Sequence, residues 1–545
     1  MKLLMDFLEA LFLQVPMFLC KAVIRLKAGF FWILASSCAL AGLALFGLRE
    51  IGQTGRLWGS IVKQPYGLMW EILLFYAIYV CLLSPIFLTF SYLKQERLTR
   101  WLKPAKKFRF SDAKMLDSRH KAVKEEVFLG RSMKTKKGVY LDREMRKMHT
   151  HVVGSTGAGK TDSLILPLFA QDIARGTGAL VMDAKGDRET LNKIYYHVKQ
   201  VGREKDFLFF SLAYPEKSNT YNPLLRGNPT ELKDKIISAN IWTEEFYKKK
   251  SEETLLLLMK GLREAKQAIT FEKLYNLLSD ERKLSELSKQ LTDPHLKEMI
   301  TTILRKYPVF QKDLSGMTAD LGMIAESEFS KLLRDEKPEI DLLDAYLNRK
   351  IVYFQLNAQG YEETARRFGR IVLQDLKTIS NHIQAYLPEE QRFFFPIFVD
   401  EFSNFAYEPF IEFLNKARGA HLAITIAHQS LGDLQKAGDH FMKQVLENCN
   451  IKIIMRQDDP DSIETYSKIS GTEKALKDTV QTKEDFIDKS PTGMVSVREV
   501  EEFRLNPNLI RELGRGEAAL IIKQPFVIDV VQLDYIGHIP QMQIV

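Results

Sequence analysis

One stretch constrains the fold of this chain more than any other: Gly154-Ser155-Thr156-Gly157-Ala158-Gly159-Lys160-Thr161. It matches G-x-x-x-x-G-K-[ST], the pattern of a phosphate-binding loop, or P-loop. The apolar residues before it favour a buried strand, and residues 163–174 after it favour a helix. In that setting, backbone N–H groups and the helix dipole hold an anion. We predict a nucleotide site in which Lys160 reaches the β- and γ-phosphates and Thr161 binds Mg²⁺. A glycine-rich turn without a ligand is the alternative.

Two carboxylates end a second apolar run, Phe398-Val399-Asp400-Glu401. A P-loop enzyme needs an acid beside Mg²⁺, and Asp400 fits that role by holding a metal-bound water and supporting Thr161. Glu401 is then the group that orients or deprotonates the attacking water. Alone, the pattern fits a strand that ends in a polar turn equally well. The P-loop upstream favours the catalytic interpretation.

Two further polar residues allow two interpretations each. Arg418 either completes a neighbouring subunit's site as an arginine finger or is a helix-end cation favoured by the dipole, and its position alone favours the second. Gln429 follows a predicted strand at residues 422–427 and either senses the γ-phosphate or is an ordinary loop residue. His428 beside it is interpreted as a satisfied polar residue without a catalytic role.

Two uncharged segments near the start, residues 28–48 and 72–93, each exceed the about 18 apolar residues that cross a bilayer. Cations precede the first and follow the second, so the positive-inside rule predicts that both termini and the ATPase domain are cytoplasmic. The first 20 residues favour an interfacial amphipathic helix over a signal peptide. A buried helical hairpin in a soluble protein is the alternative to the two spans.

Composition adds only broad limits. The chain has 545 residues, more than one domain holds, and its net charge of +8 permits an acidic partner without requiring one. The four cysteines show no metal-ligand spacing, so we predict neither a disulfide nor a zinc site.

From residue 108 the sequence becomes polar and globular. Strand patterns alternate with helical ones, which predicts an α/β fold with a parallel sheet and helices on both faces. Residues 224–347 show only charged, Leu-rich helical patterns and are interpreted as an all-α insertion. The predicted domains are therefore a membrane anchor at 1–107, a nucleotide-binding domain in two parts at 108–223 and 348–545, and the insertion at 224–347. The strands after the P-loop are predicted at residues 179–183, 207–212, 350–356, 393–399, 422–427, 450–455, 518–522 and 526–531, with a hairpin at 127–130 and 138–141 before it.

Together these motifs resemble those of the type IV coupling proteins, the TraG/TraD family of conjugation ATPases. The resemblance extends over the two spans, the P-loop and the Phe398–Phe402 stretch. The family usually has Glu where Asp187 stands. The other matching stretches are Asp183-Ala184-Lys185-Gly186-Asp187, Ser211 with Asn222-Pro223-Leu224, Arg418-Gly419, Gln429-Ser430 and Gly516-Glu517-Ala518.

The resemblance implies a RecA-like P-loop NTPase core with an all-α insertion domain and an N-terminal two-helix transmembrane anchor. It implies an ATP hydrolase that uses ATP and Mg²⁺, forms a homo-hexamer and lies in a bacterial inner membrane, with Arg418 as a finger to the next subunit. The expected partners are single-stranded DNA bound without sequence preference, a relaxase or relaxosome protein, and type IV secretion channel subunits. Such a motor delivers relaxase-bound DNA, protein, or both.

Two other functions remain open at this level. An FtsK/HerA-like DNA translocase shares the ATPase core but fits the insertion and the anchor less well. A substrate receptor in which hydrolysis is minor is disfavoured by the intact Lys160, Asp400 and Glu401. The sequence does not identify the cargo, the DNA-contacting residues or the role of Asp183 to Asp187.

Overall fold

The structure is a computed structural model that describes residues 126–485, 488–537 and 539–540. The predicted membrane spans at residues 28–48 and 72–93 lie outside these residues. Within the described part of the chain, no helix combines the length and apolar character needed to cross a membrane.

Strands of the described residues fall into one large sheet and one separate hairpin. In chain order they are β1 Val127–Ser132, β2 Gly138–Leu141, β3 Thr150–Val153, β4 Ala179–Asp183, β5 Phe207–Ser211, β6 Ile351–Gln355, β7 Phe395–Asp400, β8 Leu422–His428, β9 Ile451–Met455, β10 Thr472–Asp485, β11 Asp488–Phe503, β12 Glu517–Ile522 and β13 Val527–Leu533.

Helices separate most of these strands. They are α1 Arg143–Lys147, α2 Leu166–Ala174, α3 Arg188–Gln200, α4 Pro229–Ala239, α5 Glu245–Glu264, α6 Phe271–Ser279, α7 Glu281–Gln290, α8 Pro294–Arg305, α9 Tyr307–Asp313, α10 Ser315–Ala325, α11 Leu342–Leu347, α12 Glu362–Tyr386, α13 Phe410–Ala417, α14 Leu431–Gln435, α15 Asp439–Asn448, α16 Pro460–Ser470 and α17 Pro507–Glu512. A π-helical turn, Thr161–Ile165, leads into α2, and short 3₁₀ turns lie at Glu204–Asp206, Pro215–Lys217, Ser330–Leu332, Glu389–Gln391, Phe402–Asn404 and Arg418–Ala420.

The large sheet has eleven strands in the order β2-β1-β13-β12-β9-β3-β8-β7-β4-β6-β5. The strands from β9 to β5 are parallel. The strands from β2 to β12 are antiparallel, including the pairing of β12 with β9. The predicted parallel sheet is therefore extended at one edge by antiparallel strands, of which only the β1–β2 hairpin was predicted. Short hairpin connections join β1 to β2 and β12 to β13, and a short connection permits only antiparallel neighbours.

The order of the parallel strands determines where the site forms. The P-loop strand β3 lies between β8 and β9, and β8 separates it from β7, the strand that ends in Asp400. The carboxyl ends of all these strands lie at one edge of the sheet. Residues that follow β3, β7 and β8 therefore meet at that edge, which is where open α/β sheets bind ligands.

Helices cover both faces of the parallel strands. On one face, Phe169 of α2 and Ile194 of α3 belong to the same buried cluster as Val181 of β4. On the other face, Phe368 of α12 shares a buried cluster with Met182 of β4. Strands buried on both faces have nearly continuous apolar sequences, which explains why most of them were recognisable from sequence.

In the described part of the chain, the segment from α4 to α11 consists of helices and turns apart from an isolated β-bridge at Ile340, and its helices pack on the α12 face of the sheet. Buried polar contacts fix this attachment: Lys235 Nζ lies 2.7 Å from Asp375 Oδ1, and the Tyr221 hydroxyl donates to Asp375 Oδ2 at 2.7 Å. The Asp375 carboxylate on α12 therefore binds both the chain just before the inserted segment, through Tyr221, and the first helix of that segment, through Lys235.

No strand is predicted from the sequence between residues 456 and 517, but the structure has a hairpin there, formed by β10 and β11. The two strands pair antiparallel from Thr472 with Phe503 to Asp485 with Asp488. The alternation Val495-Ser496-Val497-Arg498 is a strand pattern that identifies this region.

Candidate nucleotide-binding site

The glycine-rich loop lies at the carboxyl edge of the sheet, directly after β3. Gly154 N–H donates to the carbonyl of His428 at the end of β8 (3.2 Å), and Ser155 N–H donates to the carbonyl of Arg456 just beyond β9 (2.9 Å). The first two loop residues are thus held by the strands on either side. This anchoring fixes the position of the loop relative to every other group at the edge.

Two glycines have backbone conformations that other residues rarely adopt. Gly157 has φ 81° and Gly159 has φ 99°. A Cβ at Gly159 would also lie 2.9 Å from the Ser163 hydroxyl. The curled loop therefore requires glycine at these positions, for which positive φ is accessible without strain.

Lys160 is buried and its ammonium donates to the carbonyl of Gly154 at 2.7 Å. The side chain is therefore folded back across the loop. The contact with Gly154 uses one ammonium hydrogen, and two remain for other acceptors. A triphosphate in the loop would offer it stronger, charged acceptors.

Thr161 connects the loop with the strand that lies two positions away in the sheet. Its hydroxyl donates to Asp400 Oδ2 at 2.5 Å. A carboxylate and a hydroxyl are the oxygen ligands that Mg²⁺ takes together with nucleotide phosphates. The predicted pairing of Asp400 with Thr161 therefore places two suitable ligands side by side.

A chain of hydrogen bonds joins the other end of the loop to Glu401. The hydroxyl of Thr156 donates to Gln429 Oε1, and Gln429 Nε2 donates to Glu401 Oε2, both at 3.2 Å. Glu401 has the left-handed φ of 49°, and Asn404 Nδ2 donates to its carbonyl at 3.0 Å. Thr156, Gln429 and Glu401 are thus joined in one hydrogen-bonded group beside the loop.

Asp183, whose role the sequence left open, ends β4 directly beside Asp400 in the sheet register. Burial raises the pKa of Asp400 to about 7, and the nearby carboxylate of Asp183 adds to the shift. Burial also raises the pKa of Asp183, whose Oδ2 accepts from the Tyr353 hydroxyl at 2.9 Å. Two buried carboxylates that repel each other form a site to which a divalent cation adds stabilising charge.

Asp187, the last residue of the Asp183–Asp187 stretch, has structural contacts and does not lie beside Asp400 as Asp183 does. It is the N-cap of α3, where its Oδ1 accepts from Thr190 N–H at 2.7 Å, and its other oxygen lies 2.9 Å from Lys185 Nζ. A shorter Asp suits an N-cap better than Glu, which explains how this chain accommodates the departure from the family pattern.

The raised pKa of Asp400 predicts a stabilising substitution. The carboxyl holds its proton up to about pH 7 in the folded chain, against about 3.9 when unfolded, so the stability of the folded chain decreases as pH rises between these values. Asp400→Asn cannot ionise. In EDTA it should therefore melt at a higher temperature than the wild type at pH 8, with the difference shrinking toward pH 5. A variant less stable than the wild type at both pH values would contradict this.

Arg418 lies at the opposite edge of the sheet. It follows α13 and begins the 3₁₀ turn before β8, whereas the P-loop follows the far end of β3. Its side chain is exposed. Burial lowers the pKa of His149, the residue before β3, to about 4, and the positive charge of Arg418 adds to this shift. Arg418 therefore does not contact the P-loop of its own chain.

His428 is buried behind the loop and has a partner that sequence analysis did not identify. Its Nδ1 donates to the carbonyl of Ser430 at 2.8 Å, and its Nε2 lies 2.5 Å from Nε2 of His151 on β3. Burial lowers the pKa of His428 to about 4, so the ring is neutral. The prediction of a satisfied polar residue at His428 is confirmed.

Residues 395–515 match the family model described as the TraM recognition site of TraD and TraG. The type 4 coupling protein DotL of Legionella pneumophila is 22% identical over 520 residues, which cover 83% of this chain. The chain spans 66% of the length of that curated relative.

Solved structures show the same fold. The bacterial conjugative coupling protein TrwB, without bound ligand, superimposes with a TM-score of 0.55 at 15% identity, covering 79% of this chain and 93% of the other. TrwB in complex with ADP and Mg²⁺ gives a TM-score of 0.52 at 15% identity, covering 74% and 88%. The predicted resemblance to type IV coupling proteins is thus confirmed, as is an α/β fold with a RecA-like core.

Proposed function

We propose that this chain, which belongs with the type IV coupling proteins, is a membrane-anchored ATPase that delivers a substrate to a type IV secretion channel. The observation that carries the proposal is the convergence of Thr161 with Asp400, and of Thr156 with Gln429 and Glu401, at one edge of the sheet. These are the residues that a P-loop motor needs, drawn from three separate segments of the chain.

Each side chain has a distinct part in the proposed hydrolysis. Lys160 leaves the Gly154 carbonyl and neutralises charge on the β- and γ-phosphates. Thr161 and Asp400 would hold Mg²⁺, which would supply positive charge beside the phosphates. Glu401 accepts a proton from the attacking water. Gln429 lies between Glu401 and the loop, where it reports the presence of the γ-phosphate to both.

Assembly into a homo-hexamer completes the proposed site. Arg418 is exposed and lies at the sheet edge opposite to the P-loop of its own chain, so it can act only on a site in another subunit. A ring in which each subunit presents Arg418 to the next P-loop satisfies that geometry. The planar guanidinium then bridges γ-phosphate oxygens and stays charged at every relevant pH.

The proposed location and partners follow from the family and from the sequence. The uncharged segments at residues 28–48 and 72–93 anchor the chain in a bacterial inner membrane with the ATPase domain cytoplasmic. The match of residues 395–515 to a TraM recognition site supports a relaxosome-type protein partner. We propose relaxase-bound single-stranded DNA, protein, or both as cargo, with channel subunits as the receiving partner.

The alternative functions make different demands on the same site. An FtsK/HerA-like translocase would hydrolyse ATP on DNA without a secretion partner. A receptor with minor hydrolysis would bind nucleotide but leave Glu401 without a task. The hydrogen-bonded link from Thr156 to Glu401 supports hydrolysis, because a receptor needs only the loop and the metal ligands.

Glu401→Gln separates hydrolysis from binding. We expect the variant to bind ATP with Mg²⁺ as tightly as the wild type but to release phosphate about 100- to 10,000-fold more slowly, because an amide cannot accept the proton. Equilibrium nucleotide titration and phosphate release on the purified chain measure the two effects.

Glu408→Gln provides the matched control, since Glu408 is exposed and lies in the same connection between β7 and α13. It should leave both quantities unchanged. Phosphate release by Glu401→Gln at the wild-type rate would remove Glu401 from the mechanism. If the chain is instead a receptor with minor hydrolysis, neither the wild type nor any variant should release phosphate at a measurable rate.

A further inference from the structure

The geometry of the loop indicates where the nucleoside of a bound nucleotide must leave the site. In the proposed function, Glu401 and Gln429, which are hydrogen-bonded to each other, lie at the γ-phosphate end of the site. In P-loops the lysine reaches the β- and γ-phosphates, and backbone N–H groups cradle the α- and β-phosphates. The α-phosphate and nucleoside therefore extend past the residue that follows Thr161, which is Asp162.

Two segments from the end of the chain close around Asp162. Gly516, directly before β12, donates its N–H to the carbonyl of Ala158 at 3.2 Å. Ile536, just beyond β13, donates its N–H to the carbonyl of Asp162 at 2.9 Å. Leu533 N–H also donates to the Gly516 carbonyl at 2.8 Å, so the two segments hold each other as well as the loop.

These segments carry a cation and an aromatic ring next to each other. The guanidinium of Arg515 lies 5.7 Å from the centre of the Tyr535 ring, within the range of a cation–π contact. One guanidinium nitrogen lies 3.4 Å from Asp162 Oδ2, while Lys193 Nζ lies 2.7 Å from the other carboxylate oxygen. Arg515 is thus held from two sides although its side chain is 59% exposed.

An exposed but oriented guanidinium plane, backed by an aromatic ring, is a surface on which a planar base stacks. The contacts with Asp162 and Tyr535 reduce the freedom that Arg515 would otherwise lose on binding, which lowers the entropic cost. Arginine suits this position because its planar group stacks on ring systems, whereas an ammonium does not. Stacking is tolerant of base identity because every base has a π-face.

We propose that Arg515 and Tyr535 form the site for the base of a nucleoside triphosphate, at the end of the loop opposite to Glu401 and Gln429. This inference rests on the proposed nucleotide-binding function and adds to it a contact with the nucleoside. The sequence motifs concern only the phosphates and Mg²⁺. Arg515 lies 353 positions beyond Asp162 in sequence and Tyr535 lies farther still, so only the fold brings them to Asp162.

Two ligands that share a phosphate chain test the proposal. A non-hydrolysable ATP analogue and inorganic tripolyphosphate are each titrated with Mg²⁺ into the purified full chain by calorimetry. Arg515→Lys keeps the charge but loses the plane, and Tyr535→Leu keeps an apolar side chain but loses the ring. We expect both variants to bind the ATP analogue about 10- to 100-fold more weakly. Both should bind tripolyphosphate as the wild type does.

Arg511→Lys is the control, because Arg511 is exposed on the neighbouring helix α17 and should change neither affinity. Because Arg515 is exposed, its substitution also tests the proposal independently of folding. Wild-type affinity of Arg515→Lys for the ATP analogue would overturn the base site, as would an equal loss of affinity for both ligands. A wild-type chain that bound neither ligand would instead show that the nucleotide-binding function itself is wrong.

Discussion

Lys160→Ala is expected to abolish measurable ATP hydrolysis while leaving the chain folded. Lys160 supplies the positive charge inside the loop, and removing one preorganised group that stabilises a transition-state oxyanion costs about 100- to 1,000-fold in rate. A charged lysine facing phosphates is expected to reach at least that range, since its hydrogen bonds are charge-assisted. Phosphate release by the purified variant, at saturating ATP with Mg²⁺, measures the loss.

The folded state of this variant needs a separate check, because Lys160 is buried and donates to the Gly154 carbonyl. Its removal leaves that carbonyl without this donor, a loss of about 1–3 kcal/mol if water does not replace it. Lys436→Ala is the control, since this lysine of the segment after α14 is 79% exposed. Near-normal phosphate release by Lys160→Ala, with an intact melting transition, would contradict the assignment of the site.

Arg418→Ala is expected to reduce ATP turnover by orders of magnitude with little change in melting temperature. An arginine finger is worth 10³–10⁵-fold in rate, roughly 4–7 kcal/mol. A helix-end cation contributes about 0.3–1 kcal/mol, and to stability instead of rate. Lys416→Ala is a matched control because Lys416 lies in the last turn of the same helix, α13. If Arg418 were only a helix-end cation, the two variants would behave alike.

Mixing inactive subunits tests whether Arg418 acts between chains. Arg418→Ala subunits retain an intact P-loop, and Lys160→Ala subunits retain an intact Arg418. Some interfaces in a mixed ring then combine both, so partial activity should return. A pull-down with two different tags establishes that subunits have exchanged. Exchange without recovered activity, together with a lower melting temperature for Arg418→Ala, would reduce Arg418 to a stabilising cation.

Most of the sheet was predictable because its central strands are buried on both faces. Ala179–Asp183 and Ile351–Gln355 are apolar along almost their entire length, and the strands predicted there are confirmed. The antiparallel edge was predicted only at its first hairpin. The pairing of β12 with β9 depends on where the chain returns to the sheet, which periodicity does not reveal. The β10–β11 hairpin was missed because its alternating pattern is interrupted by charges.

The candidate site was predictable where one segment carries a known pattern. The motif around Lys160 and the carboxylates Asp400 and Glu401 at the end of β7 were predicted from the chemistry that a nucleotide site needs. In the structure, Asp400 accepts a hydrogen bond from Thr161. The contributions of Asp183, Arg515 and Tyr535 were not found, because each depends on contacts between segments far apart in sequence. Asp183 ends a buried strand just as Asp400 does, and that shared feature is the signal that identifies it.

The central claim is that the chain converts ATP hydrolysis into delivery of a substrate, and steady-state phosphate release by the purified full chain tests it most directly. ATP with Mg²⁺ is supplied with and without single-stranded DNA, and Lys160→Ala sets the background rate. We predict turnover above that background in the wild type, and a further increase when DNA is the cargo. Wild-type release that stays at the Lys160→Ala rate in both conditions, from a chain that binds nucleotide, would contradict the claim.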